Sequence, residues 1–264
     1  MSRQPHKHQG AESIDYYAYT SGMRKVNASF KVLFSVALLI VCIVLDHIWV
    51  SVTVMISMGL LTICVGGLSI RRYLSLMKIP AAFILMGSIA IGLGVATRPY
   101  GDFNLNLRLF YLYTSRTDIM RAVQLSFKAL GAVSAMYMLT LSTPASEIIS
   151  VLGRAHLPKL LIELMNMIYR FIFILLDVQG RMSTAARARL GYEGFRRSCY
   201  TFGNIAGNLL ILSFRKAGIY YDALESRGYE GELKFLEEEK KTEVWQVMAA
   251  VGYLLALVSL SVLL

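Results

Sequence analysis

The chain has 264 residues, 56% of them hydrophobic, 27 Lys and Arg against 17 Asp and Glu, and a net charge of +10. That apolar content exceeds the 45–50% usual for soluble domains, and the apolar residues gather into long runs, so a lipid bilayer is the expected solvent. The basic excess carries no readable nucleic-acid motif and is explained by membrane topology, because cytoplasmic segments concentrate Lys and Arg; no nucleic-acid partner is expected.

In chain order, a polar segment of residues 1–31 precedes the first apolar run, and no cleavable leader is expected. His6, Lys7 and His8 within it read as a solvated tail. Residues 32–65 are apolar except for Asp46 and His47. As one helix they would reach about 50 Å, beyond a ~30 Å hydrocarbon core, so the run folds back at Asp46-His47 into spans at 32–45 and 48–68, with Trp49 at interface depth. Gly66-Gly67 closes the second span. Arg71, Arg72 and Lys78 mark a basic connector before a third span at 79–96. A polar, aromatic loop at 97–116, with Pro99, Tyr100, Gly101, Asp102, Tyr111 and Tyr113, is placed outside. The fourth span, 119–141, holds Lys128 well within it, lining a functional contact, facing a partner subunit or paired inside the bundle.

After Leu141 the character changes. Residues 142–242 mix apolar stretches with Arg and Lys and contain no clean uncharged span. Thr143 and Pro144 start a short helix that ends near Gly153. His156 stands beside Pro158, which opens a long helix to Arg189, and a second long helix covers 196–227. The acidic and basic run Glu237-Glu238-Glu239-Lys240-Lys241 leads to a last span at 244–264. The expected fold is all-α and polytopic: a segment at 1–31, a four-helix membrane domain at 32–141, a coupling domain of long crossing helices at 142–242, and a C-terminal membrane helix at 243–264. The basic segments place the N-terminus in the cytoplasm of a multi-pass cell-membrane protein.

One motif occurs twice. Arg189-Leu190-Gly191-Tyr192-Glu193-Gly194 is echoed by Arg227-Gly228-Tyr229-Glu230-Gly231, with Leu190 read as an insertion. Each copy places an Arg at a helix end, where the macrodipole favours a cation and Gly readily takes the left-handed closing conformation. The guanidinium fork pairs with carboxylates, so the two tips form prongs suited to acidic grooves; two ordinary C-caps are the plainer reading. Gly203 and Gly207, one turn apart, allow the two long helices to cross closely there, although such spacing also arises by chance. No phosphate-binding loop, zinc-protease motif or nucleophile elbow is present, and neither the three Cys nor the four His form a metal pattern. No catalytic site, metal site or bound cofactor is expected.

These residues, with Ile14-Asp15-Tyr16-Tyr17-Ala18-Tyr19, Lys31 and Tyr169-Arg170-Phe171, resemble the transmembrane T component of energy-coupling factor transporters, and within it the CbiQ group associated with cobalt uptake. The resemblance implies a non-catalytic scaffold joining a substrate-binding S component, CbiM-like, to two ATPase subunits, CbiO-like, which carry ATP and Mg. It assigns ATPase docking to Ala188, Arg189, Leu190 and Gly191 and to Ser226, Arg227 and Gly228. Leu190 stands before its Gly and Ser226 stands in place of Ala, departures from the family's Ala-Arg-Gly signature; Ala28 stands where the family often has Pro. Nickel or a vitamin is the alternative cargo, and a self-sufficient carrier using Lys128 is the rival of a different class.

Overall fold

The computed structural model describes residues 14–92, 94–96, 103–107, 110–155, 157–229, 240 and 242–263, with backbone alone at 14, 94–96, 103–107, 110–114 and 263. The tail with His6, Lys7 and His8, the loop residues 97–102, His156, Glu230, Gly231 and Glu237-Glu238-Glu239 lie outside the described residues, as do the side chains of Tyr111 and Tyr113. The chain is an all-α polytopic membrane protein with one small sheet. It forms two compact units, Met1–Ile148 with Glu238–Leu264, and Ile149–Glu237. The sequence draws the corresponding boundaries at 142 and 242.

In the first unit α1 (Ile14–Thr20) and a 3-10 turn lead into α2 (Ala28–Val44), which starts on Asn27, whose side chain accepts from the Ser29 amide. The chain turns at residues 45–47, as Asp46-His47 predicts, into α3 (Ile48–Leu60), which is prolonged by a π-helical turn at Leu61–Val65 and stopped by Gly67 at φ +74°. Helix α4 (Ile70–Gly92) runs unbroken through Pro80, so the third span begins nine residues earlier than the sequence places it, and Arg71, Arg72 and Lys78 lie inside the helix. The ring costs one backbone hydrogen bond, a loss that membrane helices accommodate.

The connection from α4 to α5 (Arg116–Ser142) is more ordered than a loop. β1 (Gly94–Ala96) and β2 (Phe103–Leu107) both pair antiparallel with β3 (Phe110–Thr114), with Val95 opposite Leu112 and Leu105 opposite Leu112 on the other edge. The alternation Phe-Asn-Leu-Asn-Leu has the period of a strand and was the available signal. Helix α9 (Val244–Leu263) closes the unit. Ile48–Val65, Ile70–Gly92, Arg116–Ser142 and Val244–Val262 are long and apolar enough to cross a bilayer, and Ala28–Val44 is a shorter apolar helix.

Helix α5 is the axis. Ala135 and Met138 pack with Leu38 of α2, with Val50, Val54 and Met58 of α3, and with Leu257 of α9. Small residues let the helices approach: a Cβ on Gly131 would stand 2.9 Å from the Ser51 carbonyl oxygen. Hydroxyls bind the same seam, with Ser35 donating to the Ala135 carbonyl at 2.8 Å and Tyr73 bonded to Ser134 at 2.8 Å. Lys128 is paired inside the chain, its Nζ 2.9 Å from Asp46 Oδ1 in the α2–α3 turn. Gln124, one helical turn earlier on α5, donates to the Asp46 carbonyl, so both residues hold that turn.

At the opposite end Lys31 is only 1% exposed and donates to the carbonyls of Ser142 at 2.8 Å and Met23 at 3.3 Å. A cation on the Ser142 carbonyl, the last of α5, is well placed against that helix's dipole. Beside it Glu147 pairs with Lys240, whose carbonyl accepts from Asn27. The second oxygen of Glu147 is buried without a hydrogen bond. Helix α1 closes this corner: Asp15 accepts from the Ala145 amide, and the hydroxyls of Tyr19 and Ser146 meet at 3.3 Å. Thr143 closes α5 through its amide bond to the Leu139 carbonyl, and the Pro144 carbonyl opens α6 (Ala145–Arg154), one step later than the sequence suggests.

Lys31→Met is expected to destabilise the protein by about 1.5–3 kcal/mol, because two carbonyls lose a charged donor. Asp46→Asn, which weakens a pair whose carboxylate is 71% exposed, is expected to cost less than about 1 kcal/mol. Thermal unfolding of the two variants in detergent checks this, and equal shifts would contradict the assignment of Lys31 as a buried tie.

Candidate functional site

The unit Ile149–Glu237 is built on α7 (Lys159–Ala188) and α8 (Phe195–Glu225). The two run antiparallel from the turn between them. Thr201 donates to the Gly191 carbonyl at 2.7 Å near the turn, Phe171 meets Tyr220 edge to face at 5.5 Å farther along, and Tyr229 reaches Glu163 at the far end. Helix α8 turns Thr201, Ile205, Leu209, Leu212, Lys216 and Tyr220 inward, half-buried at helical spacing. Its other side leaves Phe202, Leu210 and Phe214 exposed. Gly203 and Gly207 lie on that exposed side, and a Cβ built on either meets nothing within 4 Å. Close crossing at these glycines is therefore not how α7 and α8 meet; the larger residues of the inward stripe make the contact instead.

The two Arg motifs end their helices in the same way. At the end of α7 the Gly191 amide donates to the Ala186 carbonyl at 2.9 Å and the Leu190 amide to the Arg187 carbonyl at 3.0 Å. At the end of α8 the Tyr229 amide donates to the Leu224 carbonyl at 3.1 Å and the Gly228 amide to the Glu225 carbonyl at 3.0 Å. Each is the paired closure in which one left-handed residue reverses the chain and satisfies the last carbonyls. The left-handed residues are Leu190 at φ +58° and Gly228 at φ +72°. Leu190 is thus no insertion: it holds the place of Gly228, and Arg189 and Arg227 hold the equivalent place one residue earlier.

Both tips are tied back to α7 by the tyrosine of the motif. The Tyr192 hydroxyl meets that of Ser183 at 3.1 Å, with Arg187 over its ring, and Tyr229 donates to Glu163 Oε2 at 2.9 Å. The Glu163 carboxylate holds the Tyr229 hydroxyl above the ordinary phenol range. Ala188, Arg189, Ser226, Arg227 and Gly228 are exposed, Gly191 is half-buried, and neither Arg189 nor Arg227 has an ion pair among the described residues. Gly191 has no room for a side chain, since a Cβ there would stand 2.9 Å from the Thr201 hydroxyl and 3.0 Å from the Ala186 carbonyl oxygen. The 31 residues of α8 separate the two arginines by roughly 45 Å along the helix axis.

Around the first tip lies a groove of about 690 Å³, lined by Arg189, Leu190, Phe195, Arg196, Arg197 and Tyr200 among others. Glu193 stands 3.7 Å from Arg197. Sequence reasoning missed Phe195, Arg196, Arg197 and Tyr200; the signal was an aromatic-basic run directly after Gly194, which takes φ +80° to launch α8. The arrangement offers cations, exposed rings and a capped helix end. Among the described residues no three His, Cys, Asp or Glu side chains gather as metal ligands.

Tyr229→Phe is expected to speed hydrogen exchange of the 224–229 amides while leaving those of 186–191 unchanged. The tie depends on a protonated phenol. Because the folded-state value is raised, its contribution is full below the unfolded phenol value and is lost only as pH rises through the higher folded one. Exchange corrected for intrinsic rates is therefore expected to stay protected at that tip until pH exceeds the ordinary phenol range.

A family model described as a cobalt transport protein, CbiQ, matches residues 21–238. The cobalt transport protein CbiQ of Salmonella typhimurium is 27% identical over 83% of this chain and 97% of its own length. A putative fused cobalt transport protein CbiMQ of Methanocorpusculum labreanum is 26% identical over 94% of this chain, which spans 42% of that longer protein. An uncharacterised protein of Methanocaldococcus jannaschii is 25% identical over 85% of this chain and 83% of its own length. With the matched segment running from the first turn before α2 through both arginine tips, the chain belongs to the CbiQ family of cobalt transport proteins.

Proposed function

We propose that this chain is the T component of an ATP-driven energy-coupling factor importer for cobalt, with the N-terminus on the cytoplasmic side of the cell membrane. Arg189 and Arg227 dock into carboxylate-lined sockets on two ATPase subunits, and the chain links them to an S component that binds the cargo. The observation that carries this reading is the pair of exposed arginines on identically closed helix ends, each clamped back to α7 and lacking an internal ion-pair partner among the described residues. A planar guanidinium makes two parallel bonds to a carboxylate, which gives the contact direction as well as strength.

The division of labour follows from chemistry. ATP and Mg reside on the partner subunits, and this chain binds no cofactor of its own. Closure of the two ATPases displaces the two tips, and because α7 and α8 are tied at both ends the pair tilts as one lever. The fused relative's name joins CbiM to CbiQ in one polypeptide, which supports a CbiM-type S component as the membrane partner. Cobalt rests on the family; nickel or a vitamin would use the same lever with a different S component. Lys128, the residue a self-sufficient carrier would need in its pathway, is occupied by Asp46.

Arg189→Ala combined with Arg227→Ala is expected to abolish assembly, since truncating one partner of a charged contact costs about 2–5 kcal/mol at each socket. Co-purification of the ATPases with the double variant, measured alongside cobalt uptake, checks this. A variant that retains both ATPases and full uptake would contradict the proposal.

A further inference from the structure

Two membrane spans, Ile48–Val65 and Ile70–Gly92, meet at the turn of residues 66–69, which therefore lies at one bilayer surface. Between that turn and α1 is a cavity of about 230 Å³, smaller than the roughly 300–1,000 Å³ usual for small-molecule sites. Tyr16 and Tyr17 of α1 line it, with Ser69 and Arg72 at the start of α4 and the buried Leu68 and Leu141. Gly66 and Gly67 add bare backbone. The Arg72 guanidinium stands over the Tyr17 ring, 5.6 Å from its centroid. Among the described residues no carboxylate lines the cavity, and the nearby Asp15 accepts from the Ala145 amide instead.

A cation, hydroxyls and no acid make a cavity that suits an anion bearing oxygens. Thr20 and Thr62, also in the lining, donate their hydroxyls to the Tyr16 and Met58 carbonyls. Those of Tyr16 and Ser69 make no hydrogen bond among the described residues and are available to donate. The first turn of α4 begins here, where the helix dipole also favours negative charge. Farther along α4, Ile79, Phe83 and Met86 follow Arg72 at 7, 11 and 14 residues, a helical stripe in line with it, and all three are exposed. We propose that the cavity binds the phosphate group of an anionic phospholipid, whose acyl chain lies along that stripe. The guanidinium pairs with the phosphate oxygens, and the chain extends from the bilayer surface into its core.

The experiment is native mass spectrometry of the full chain in detergent, titrated separately with phosphatidylglycerol, phosphatidylcholine and inorganic phosphate. Wild type is expected to retain one phosphatidylglycerol in preference to phosphatidylcholine, and Arg72→Gln to bind it at least about tenfold more weakly, the scale of one charge-assisted hydrogen bond lost. Arg71→Gln, the same charge change on an exposed neighbour outside the lining, is expected to bind as wild type does. Ser69, whose carbonyl accepts from the Arg72 and Tyr73 amides, holds the cap position of α4. Ser69→Asp keeps a good cap while placing a carboxylate in the lining, so it is expected to lose the lipid with the fold intact. Equal weakening by Arg71→Gln and Arg72→Gln, equal retention of phosphatidylcholine, or unchanged retention in Ser69→Asp would overturn the proposal. Binding of inorganic phosphate that depends on Arg72, with no lipid retained, would overturn the lipid as occupant and assign the cavity to a soluble phosphate.

Discussion

Everything the unit Ile149–Glu237 offers depends on how two helices stop. An α-helix ends with unsatisfied carbonyls, and a single left-handed residue lets the next two amides turn back and cap them. In this chain that closure sits directly after Arg189 and directly after Arg227, so each guanidinium stem leaves from a fixed point on a capped end. The tyrosines that follow lock both ends onto α7, one at Ser183 and the other at Glu163. Without those ties the arginines would be long side chains on fraying termini, and holding them in one place would cost more conformational entropy.

The membrane unit solves a different problem, keeping helices together in a solvent as apolar as themselves. Small residues on α5, chiefly Gly131, Ser134 and Ala135, bring α2 and α3 close, and buried hydroxyls supply hydrogen bonds across the seam. At one end Lys31 ties the start of α2 to the last carbonyl of α5. Beside it Glu147 meets Lys240, residues that flank the two points where the chain passes into and out of the unit 149–237. The two connections to that unit are thus joined by an ion pair, and separating them would leave a carboxylate that already has one oxygen buried without a hydrogen bond.

Much of this was legible. Apolar run lengths gave the membrane helices, Asp46-His47 gave the first reversal, and the repeated Arg motif gave the helix ends. The failures have particular causes. The charges of Arg71, Arg72 and Lys78 mark a connector by composition, but α4 carries all three in its first turns and runs on through Pro80. The strand alternation at 103–107 was hidden in a segment read by its polarity. Gly203 and Gly207 looked like a crossing because spacing alone says which residues share a face, not which face meets the neighbour. The correspondence of Leu190 with Gly228 was invisible because sequence alignment matches letters, whereas the backbone matches φ. The ion pair between Glu147 and Lys240, and the bonds from Lys31 to carbonyls, join residues far apart in sequence and carry no local signal.

The most direct test is electron cryomicroscopy of this chain purified with the ATPases proposed to dock on it. The account predicts each arginine tip in a carboxylate-lined pocket of a different ATPase subunit, the two contacts roughly 45 Å apart. A map in which Arg189 and Arg227 face solvent or lipid while the ATPases bind another surface would contradict it.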